Sequence, residues 1–447
     1  MKKIILVTGY GHKNHGDDAQ SLSAAFRLHQ ALPDVEISMS RNHDSDTDEI
    51  PGCTRNSLLL LMKTLILPSP SRLSHIVYRA FGIVSILCRI FSRRLRVRKL
   101  LFHGWLYAKT GILCSHKKEL RECLELLRSS QLLYLSGGGH YNDIWMWESL
   151  VPPMILVRFA HYFHIPVIIS GQGIGPLTNR YGQRLLKKSL RYVDMITLRD
   201  PSNSEKLLKE IGVQGPTIMS VGDDSHGLTP GDKEQALSLI ISTGLDPSES
   251  ILGVQVRFAT YHHKRDAMEY SKPTAAILDH LIEAFSVKVL FFPSAFAFSS
   301  AWDDRDIAYH VRRQMRHWKQ AEVVHEEFPA KTCKALMGCF DMFLGTAYHP
   351  LVFALGAGTP SLGLYEGSYY KYKIGGAFQF YGLEDCTLEF SQATPENVEN
   401  IFRKLLNNKK EYTDSCTIVT KQLRQNIDIS ICRTVELIGQ KFVGSKS

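Results

Sequence analysis

Four times along this 447-residue chain a short apolar run ends in a turn that is rich in glycine or carries histidine. Lys3–Thr8 leads into Gly9-Tyr10-Gly11-His12-Lys13-Asn14-His15-Gly16-Asp17. Leu132–Leu135 leads into Ser136-Gly137-Gly138-Gly139, and Val167–Ser170 into Gly171-Gln172-Gly173-Ile174-Gly175-Pro176. The fourth, Met342–Leu344, leads into Gly345-Thr346-Ala347-Tyr348-His349-Pro350. Strand, turn and helix in that order build open α/β sheets, which gather ligands beyond the carboxyl ends of their strands. Helix N-termini beside such turns attract anions, because their unpaired N–H groups and the helix dipole both point there. The pattern predicts a two-domain α/β enzyme acting on an anionic substrate, and the length also favours two domains.

Residues 1–222 read as the first domain, 223–236 as a linker and 237–394 as the second domain. The linker reading rests on Gly222, Asp223, Asp224, Gly227, Pro230 and Gly231. A polar helical tail, 395–447, is expected to cross back to the first domain. Asp17 or Asp18 is expected to cap a helix that runs to about His29. In the second domain the strands are Ile251–Val256, Val287–Phe292, Met342–Leu344 and Ser361–Leu364.

The net charge of +9 is unevenly spread. Residues 51–118 hold thirteen Lys and Arg and no Asp or Glu, so the rest of the chain nets −4. This insertion is also apolar and aromatic, yet no run reaches the roughly 18 uninterrupted apolar residues of a spanning helix. It fits a cationic amphipathic segment on an anionic membrane surface. It fits equally an insertion packed on the first domain with a solvated basic face. No nucleic-acid motif accompanies the charge, so a nucleic-acid partner is not expected. The first residues are too briefly apolar for a signal peptide. The nine scattered Cys lack a Cys-x-x-Cys pair and suit reduced thiols in the cytoplasm.

The first turn lacks the third glycine of a dinucleotide fingerprint and the Gly-Lys-Ser/Thr of a Walker loop. It reads either as a backbone anion cradle with Asn14 and Asp17 facing the cleft, or as a plain capped turn. His349, between a strand and Pro350, is expected at a helix N-cap. There the dipole disfavours imidazolium and a bound phosphate favours it, which suits acid–base work near neutral pH. Arg257 ends a strand where an Arg binds phosphate or carboxylate bidentately, and Ser294 ends the next. Lys371 and Lys373, after Tyr365, Tyr369 and Tyr370, are candidates to add charge to the same cleft. No metal is expected. His161 and His164 read as packed residues, His12, His15 and Asp17 lack a trusted ligand spacing, and Asp303–Asp306 reads as an acidic helix start.

Taken in order, these turns resemble the polysaccharide pyruvyl transferase family. The resemblance is carried by Asn14-His15-Gly16-Asp17, by Gly137-Gly138-Gly139 with Asp143, and by Gly171-Gln172-Gly173-Ile174-Gly175-Pro176. Arg199-Asp200 with Ser204, the strand ending in Arg257, and the His349 turn complete it. It implies two Rossmann-like domains facing a cleft, a GT-B-like arrangement. It further implies transfer of a pyruvate ketal from phosphoenolpyruvate to a sugar of a cell-surface polysaccharide or its lipid-linked precursor, with no cofactor. Catalysis would fall to His349 and Asp17. Substrate binding would fall to Asn14, Gly16, the triple glycine, Asp143, Gln172, Gly173, Arg199, Arg257, Ser294, Lys371 and Lys373. One departure stands out: the family has Arg two positions before the turn His, and here that position is Ala347. A nucleotide-sugar glycosyltransferase, or a non-catalytic glycan- or membrane-binding protein, would share the architecture.

Overall fold

The computed structural model describes residues 2–11, 13–40, 53–67, 72–113, 118–258, 267–296 and 303–444. His12 and parts of the basic segment lie outside them.

The first half runs β1 (Lys2–Val7), α1 (His15–Ala31), β2 (Val35–Ser40), β3 (Cys53–Asn56), α2 (Leu58–Ile66) and α3 (Arg72–Thr110). It continues with α4 (Lys118–Arg128), β4 (Leu132–Leu135), β5 (Gly138–Tyr141), α5 (Val151–Tyr162) and β6 (Val167–Ile174). It ends with α6 (Arg180–Leu190), β7 (Met195–Leu198), α7 (Asn203–Glu210) and β8 (Thr217–Ser220). The second half holds α8 (Lys233–Ser242), β9 (Ile251–Gln255), α9 (Ala267–Phe285), β10 (Lys288–Phe291), α10 (Asp304–Gln314) and β11 (Ala321–Val323). Then come α11 (Ala330–Met337), β12 (Met342–Gly345), α12 (Tyr348–Ala357), β13 (Ser361–Tyr365), α13 (Gly367–Gln379) and β14 (Thr387–Glu389). The helices α14 (Pro395–Asn407) and α15 (Lys409–Gly444) close the chain.

Both sheets are parallel and doubly wound. The first has the order β3-β2-β1-β4-β6-β7-β8, with β5 paired to β6, and the second β11-β10-β9-β12-β13-β14. In each, strand order reverses between two central strands, β1 and β4 or β9 and β12. Such a switch point opens a crevice at the strand ends. Alternation along the strands sends side chains to opposite faces. Ile4 and Leu6 join a core that runs on into the second half, whereas Ile5 and Val7 join one confined to the first. The shared core is continuous and apolar across the two halves.

The inner face of the basic segment packs on that confined core through Leu58, Met62, Leu65, Val97, Leu100 and Tyr107. The tail does cross back: α15 places Leu423 against Gly222, and Arg27 of α1 pairs with Asp428. Two local expectations are corrected. Asn14, not Asp17 or Asp18, caps α1, accepting from the Gly16 N–H, and the two acids fall in the first turn. Ala347 is the N-cap of α12 with extended backbone, so His349 lies one position inside the helix start rather than at the cap. The stretch after β8 joins the halves but is buried: Asp223, Asp224, Ser225 and His226 are each at most 4% exposed. Lys334 secures it by donating to the carbonyls of Ser225 and Leu228 at 2.6 and 2.7 Å.

Candidate active site

The two switch points face each other across a cavity of about 1010 Å³. Its first wall carries Asn14 and Asp17 after β1, Gly137, Gly138 and His140 after β4, and Gln172 in β6. The second carries Arg257 after β9, Ser294 after β10, Ala347 and His349 after β12, and Tyr369 and Lys373 of α13. The N-termini of α1 and α12 both open on it, so two sets of helix-end N–H groups favour negative charge there. The walls are stitched together by Asn14 and Ala295, which form a β-bridge, and by the His15 N–H, which donates to the Ser294 carbonyl at 3.0 Å.

One charged cluster is closely bonded. Arg257 donates from Nε to Asp304 Oδ1 and from Nη2 to Oδ2, both at 2.9 Å. Asp304 also accepts from Gln255, from the Ser294 and Ala295 N–H groups and from the Ser294 hydroxyl. The expected anion-binding Arg thus lines the cavity with its charge already matched by a buried carboxylate. Asp303 is the N-cap of α10 and pairs with Arg305, which accounts for the acidic run.

The other cluster is looser and more deeply buried. Asp223, 0% exposed, accepts from Gln20 Nε2 at 2.6 Å and from Arg199 Nη1 at 3.4 Å. His349 Nε2 lies 3.7 Å from the same oxygen and, buried, has no hydrogen-bond partner among the described residues. Burial pushes His349 down to about 4, against the pull of Asp223 and Asp17, so the imidazole is neutral at pH 7. Burial alone would raise Asp223, but His349, Arg199 and the Ser225 N–H hold it below the usual carboxylate range. Its neighbour Asp224 is the reverse, raised to about 7 by burial, though Ser170 and the Gly137 N–H bond to it. Lys373 is pushed down to about 7 by burial and then by Arg199. It donates to the Tyr369 hydroxyl, which in turn donates to the Gly139 carbonyl.

The glycines of the turns make room for these side chains. A Cβ on Gly16 would fall 1.8 Å from His349 Nδ1, and one on Gly139 would fall 2.0 Å from Arg199 Nη2. A Cβ on Gly173 would meet Arg199 Nε at 2.7 Å. Gln172 holds the same region by donating to the carbonyls of Gly138 and Gly173. Arg199 pairs with Asp223 rather than Asp200, and Asp200 instead bonds Ser204. Asp143 is not brought to the cavity, because its carboxylate accepts from Thr178 and Asn179 and fixes that turn. Lys371 is exposed on α13 and does not line the cavity, unlike Lys373 two residues on. His161 stacks on Tyr192 at 3.6 Å. Among the described residues no group of three His, Cys, Asp or Glu is gathered that could hold a metal.

Several contributors escape a reading of the sequence. Asp223 and Asp224 follow Gly222 at the end of β8, the same strand-then-turn signal as the other site residues, though their polarity reads as a linker. Lys63, the one cation in the apolar run of α2, lines the cavity with Leu59, and burial lowers its pKa. His140, also in the wall, is pushed down to about 4 by burial.

Two Rossmann-like domains around a shared cleft define the GT-B class of architecture. The chain is similar to Anabaena Alr3699/HepE in complex with UDP and glucose, at 10% identity and a TM-score of 0.53 over 99% of this chain and 100% of that one. It is similar to the UDP-GlcNAc 2-epimerase of Neisseria meningitidis bound to UDP-GlcNAc, at 10% and 0.52 over 97% and 99%. It is also similar to a UGT transferase of Siraitia grosvenorii in complex with UDP, at 11% and 0.54 over 98% and 100%. At such identities the likeness is one of fold. No curated protein matches the chain. The model of the polysaccharide pyruvyl transferase family matches residues 14–368, and the chain belongs to that family. It is therefore a transferase of polysaccharide biosynthesis.

Proposed function

We propose that the cleft transfers the pyruvyl carbons of phosphoenolpyruvate to two hydroxyls of one sugar, in a cell-surface polysaccharide or its lipid-linked precursor. The observation that carries this reading is the His349–Asp223 pair. A neutral imidazole with an unpartnered Nε2 stands at a helix N-terminus on the cavity wall, backed by a carboxylate. A phosphate and carboxylate arriving beside it raise its proton affinity, so the donor brings His349 to the acid form it must have. The proton goes to the methylene carbon of the donor, which becomes the methyl group. One sugar hydroxyl bonds to the adjacent carbon and gives up its proton, with Asp17 across the cavity as the base. The carbon–oxygen bond to phosphate then breaks with its electron pair on phosphate. The second hydroxyl bonds to the same carbon and loses its proton, completing the ketal. The scheme calls on no metal or organic cofactor.

Ala347 removes the arginine that the family places beside this histidine. Lys373 and Arg199, whose cations lie 5.7 and 4.1 Å from the ring centre of Tyr348, supply positive charge in its stead. The test is thermal stabilisation by phosphoenolpyruvate against a panel of nucleotide sugars, followed by phosphate release in the presence of glycan acceptors. A donor at 100 times its dissociation constant adds about 2.7 kcal/mol. Stabilisation by phosphoenolpyruvate, weakened in Lys373→Ala, is expected. Stabilisation by a nucleotide sugar alone would replace this reading with glycosyl transfer.

A further inference from the structure

From Phe91 onwards the outer face of α3 is left uncovered by the other described residues. Towards the first domain α3 presents Val97, Leu100, Gly104 and Tyr107, and a Cβ on Gly104 would fall 2.3 Å from Phe159. Away from it, Phe91, Leu95, Arg98, Phe102, Trp105 and Lys109 follow one another at alternating steps of four and three, all exposed. That spacing places them on one stripe of the helix. Phe91 is 71% exposed and Phe102 56%, and Ile112, just past the helix end, is 63% exposed. Large apolar groups left in water in a row mark an interaction surface rather than scattered surface residues.

The charge says what covers it. Arg98 and Lys109 interrupt the stripe, Lys99 is exposed beside it, and the whole segment 51–118 has no acidic residue to neutralise them. A second copy of this chain paired along the stripe would bring Arg98 and Lys109 of both copies together with no acid of the segment between them. An anionic lipid surface satisfies both halves of the pattern: rings enter the headgroup boundary while the cations stay at phosphate level. Among the described residues no helix is long and apolar enough to cross a membrane, so the contact is with the surface.

We infer that the outer face of α3 docks this protein on an anionic phospholipid surface. The preceding helix α2 supplies Leu59 and Lys63 to the cavity, so the docked segment is continuous in sequence with part of the cleft wall. Delivery of a lipid-linked acceptor there rests on the proposed function, whereas the docking does not.

The test is sedimentation of the full chain with vesicles of phosphatidylcholine alone or mixed with phosphatidylglycerol. Binding to the mixed vesicles only, weakened by added salt, is expected. Changing Arg98, Lys99 or Lys109 to Gln is expected to weaken it roughly five-fold each, and Phe102→Ser with Trp105→Ser to abolish it. Both sets are exposed, so thermal unfolding and phosphoenolpyruvate binding stay as in the parent, which separates this inference from the donor assignment. Equal binding to neutral vesicles, no vesicle binding, or a dimer that Phe102→Ser dissociates would each overturn it.

Discussion

The two charged clusters that border the cleft are built on opposite principles. Around Asp304 the carboxylate is saturated: Arg257 grips it bidentately and four further donors from Gln255, Ser294 and Ala295 converge on it. Around Asp223 the contacts to the basic groups are longer, at 3.4 Å from Arg199 and 3.7 Å from His349, the imidazole of His349 has an unpartnered nitrogen, and Asp224, His349 and Lys373 have strongly shifted proton affinities. A saturated network fixes the shape of a wall. An under-satisfied one leaves free energy that a ligand's polar groups recover on binding. On this comparison we propose that the Arg257 side is scaffold and the His349 side carries the chemistry.

The assignment breaks most sharply at His349. His349→Asn is expected to lower turnover on the order of a hundred- to ten-thousand-fold while leaving thermal unfolding nearly unchanged, as read by phosphate release and calorimetry. An equal loss from Arg257→Lys at constant stability would reverse the roles of the two clusters. Next comes Asp304→Ala, which takes from the half-buried Arg257 the carboxylate that it grips at two points. It is expected to cost about 3–5 kcal/mol in denaturant unfolding, and a neutral outcome would contradict the scaffold reading. Gly16→Ala favours the helix intrinsically but drives a Cβ into the His349 ring. Displacement of about an ångström is expected to cost on the order of a hundred-fold in turnover with little loss of stability.

A further effect is a pH dependence of stability. His15, His140, His226 and His349 are each lowered from 6.5 to about 4, mainly by burial. The unfolded chain therefore binds more protons as the pH falls, and stability is lost from about pH 6.5 towards 4. Near pH 5 each imidazole contributes a loss of about 2 kcal/mol. Asp224, raised to about 7, runs the other way, since it costs stability as the pH rises from 3.8 towards 7, and offsets one of the four. Denaturant curves between pH 7 and about 5 should show the net decline; a flat profile would mean that these imidazoles are solvated.

The strands and their switch points were legible because short continuous apolar runs and turn glycines are local signals, and such runs suit strands buried on both faces of a parallel sheet. His349, Asp17, Asn14, Gln172, Gly137 and Gly138, which all line the cavity, follow the same signal. What escaped depends on three-dimensional context. Asp223 and Asp224 look like linker polarity until the packing of α1, α12 and α15 buries them. Lys371 and Lys373 differ by two helical positions, about 200° around the axis, and only the docked helix shows which one faces in. The position of His349 within α12 was missed because the cap is set by the extended backbone of Ala347, not by residue type. Asp143 was drawn in by the motif, though its oxygens are spent on a turn.

The central claim is that an anionic donor binds beside His349, with Asp223 behind the imidazole, and that His349 takes up a proton as it binds. Calorimetric titration of phosphoenolpyruvate in buffers of different ionisation enthalpy, on the parent chain and on His349→Asn, measures this directly. The account predicts net proton uptake near neutral pH that disappears in the variant. Binding with the same proton balance in both proteins, or no binding of phosphoenolpyruvate by either, would contradict it.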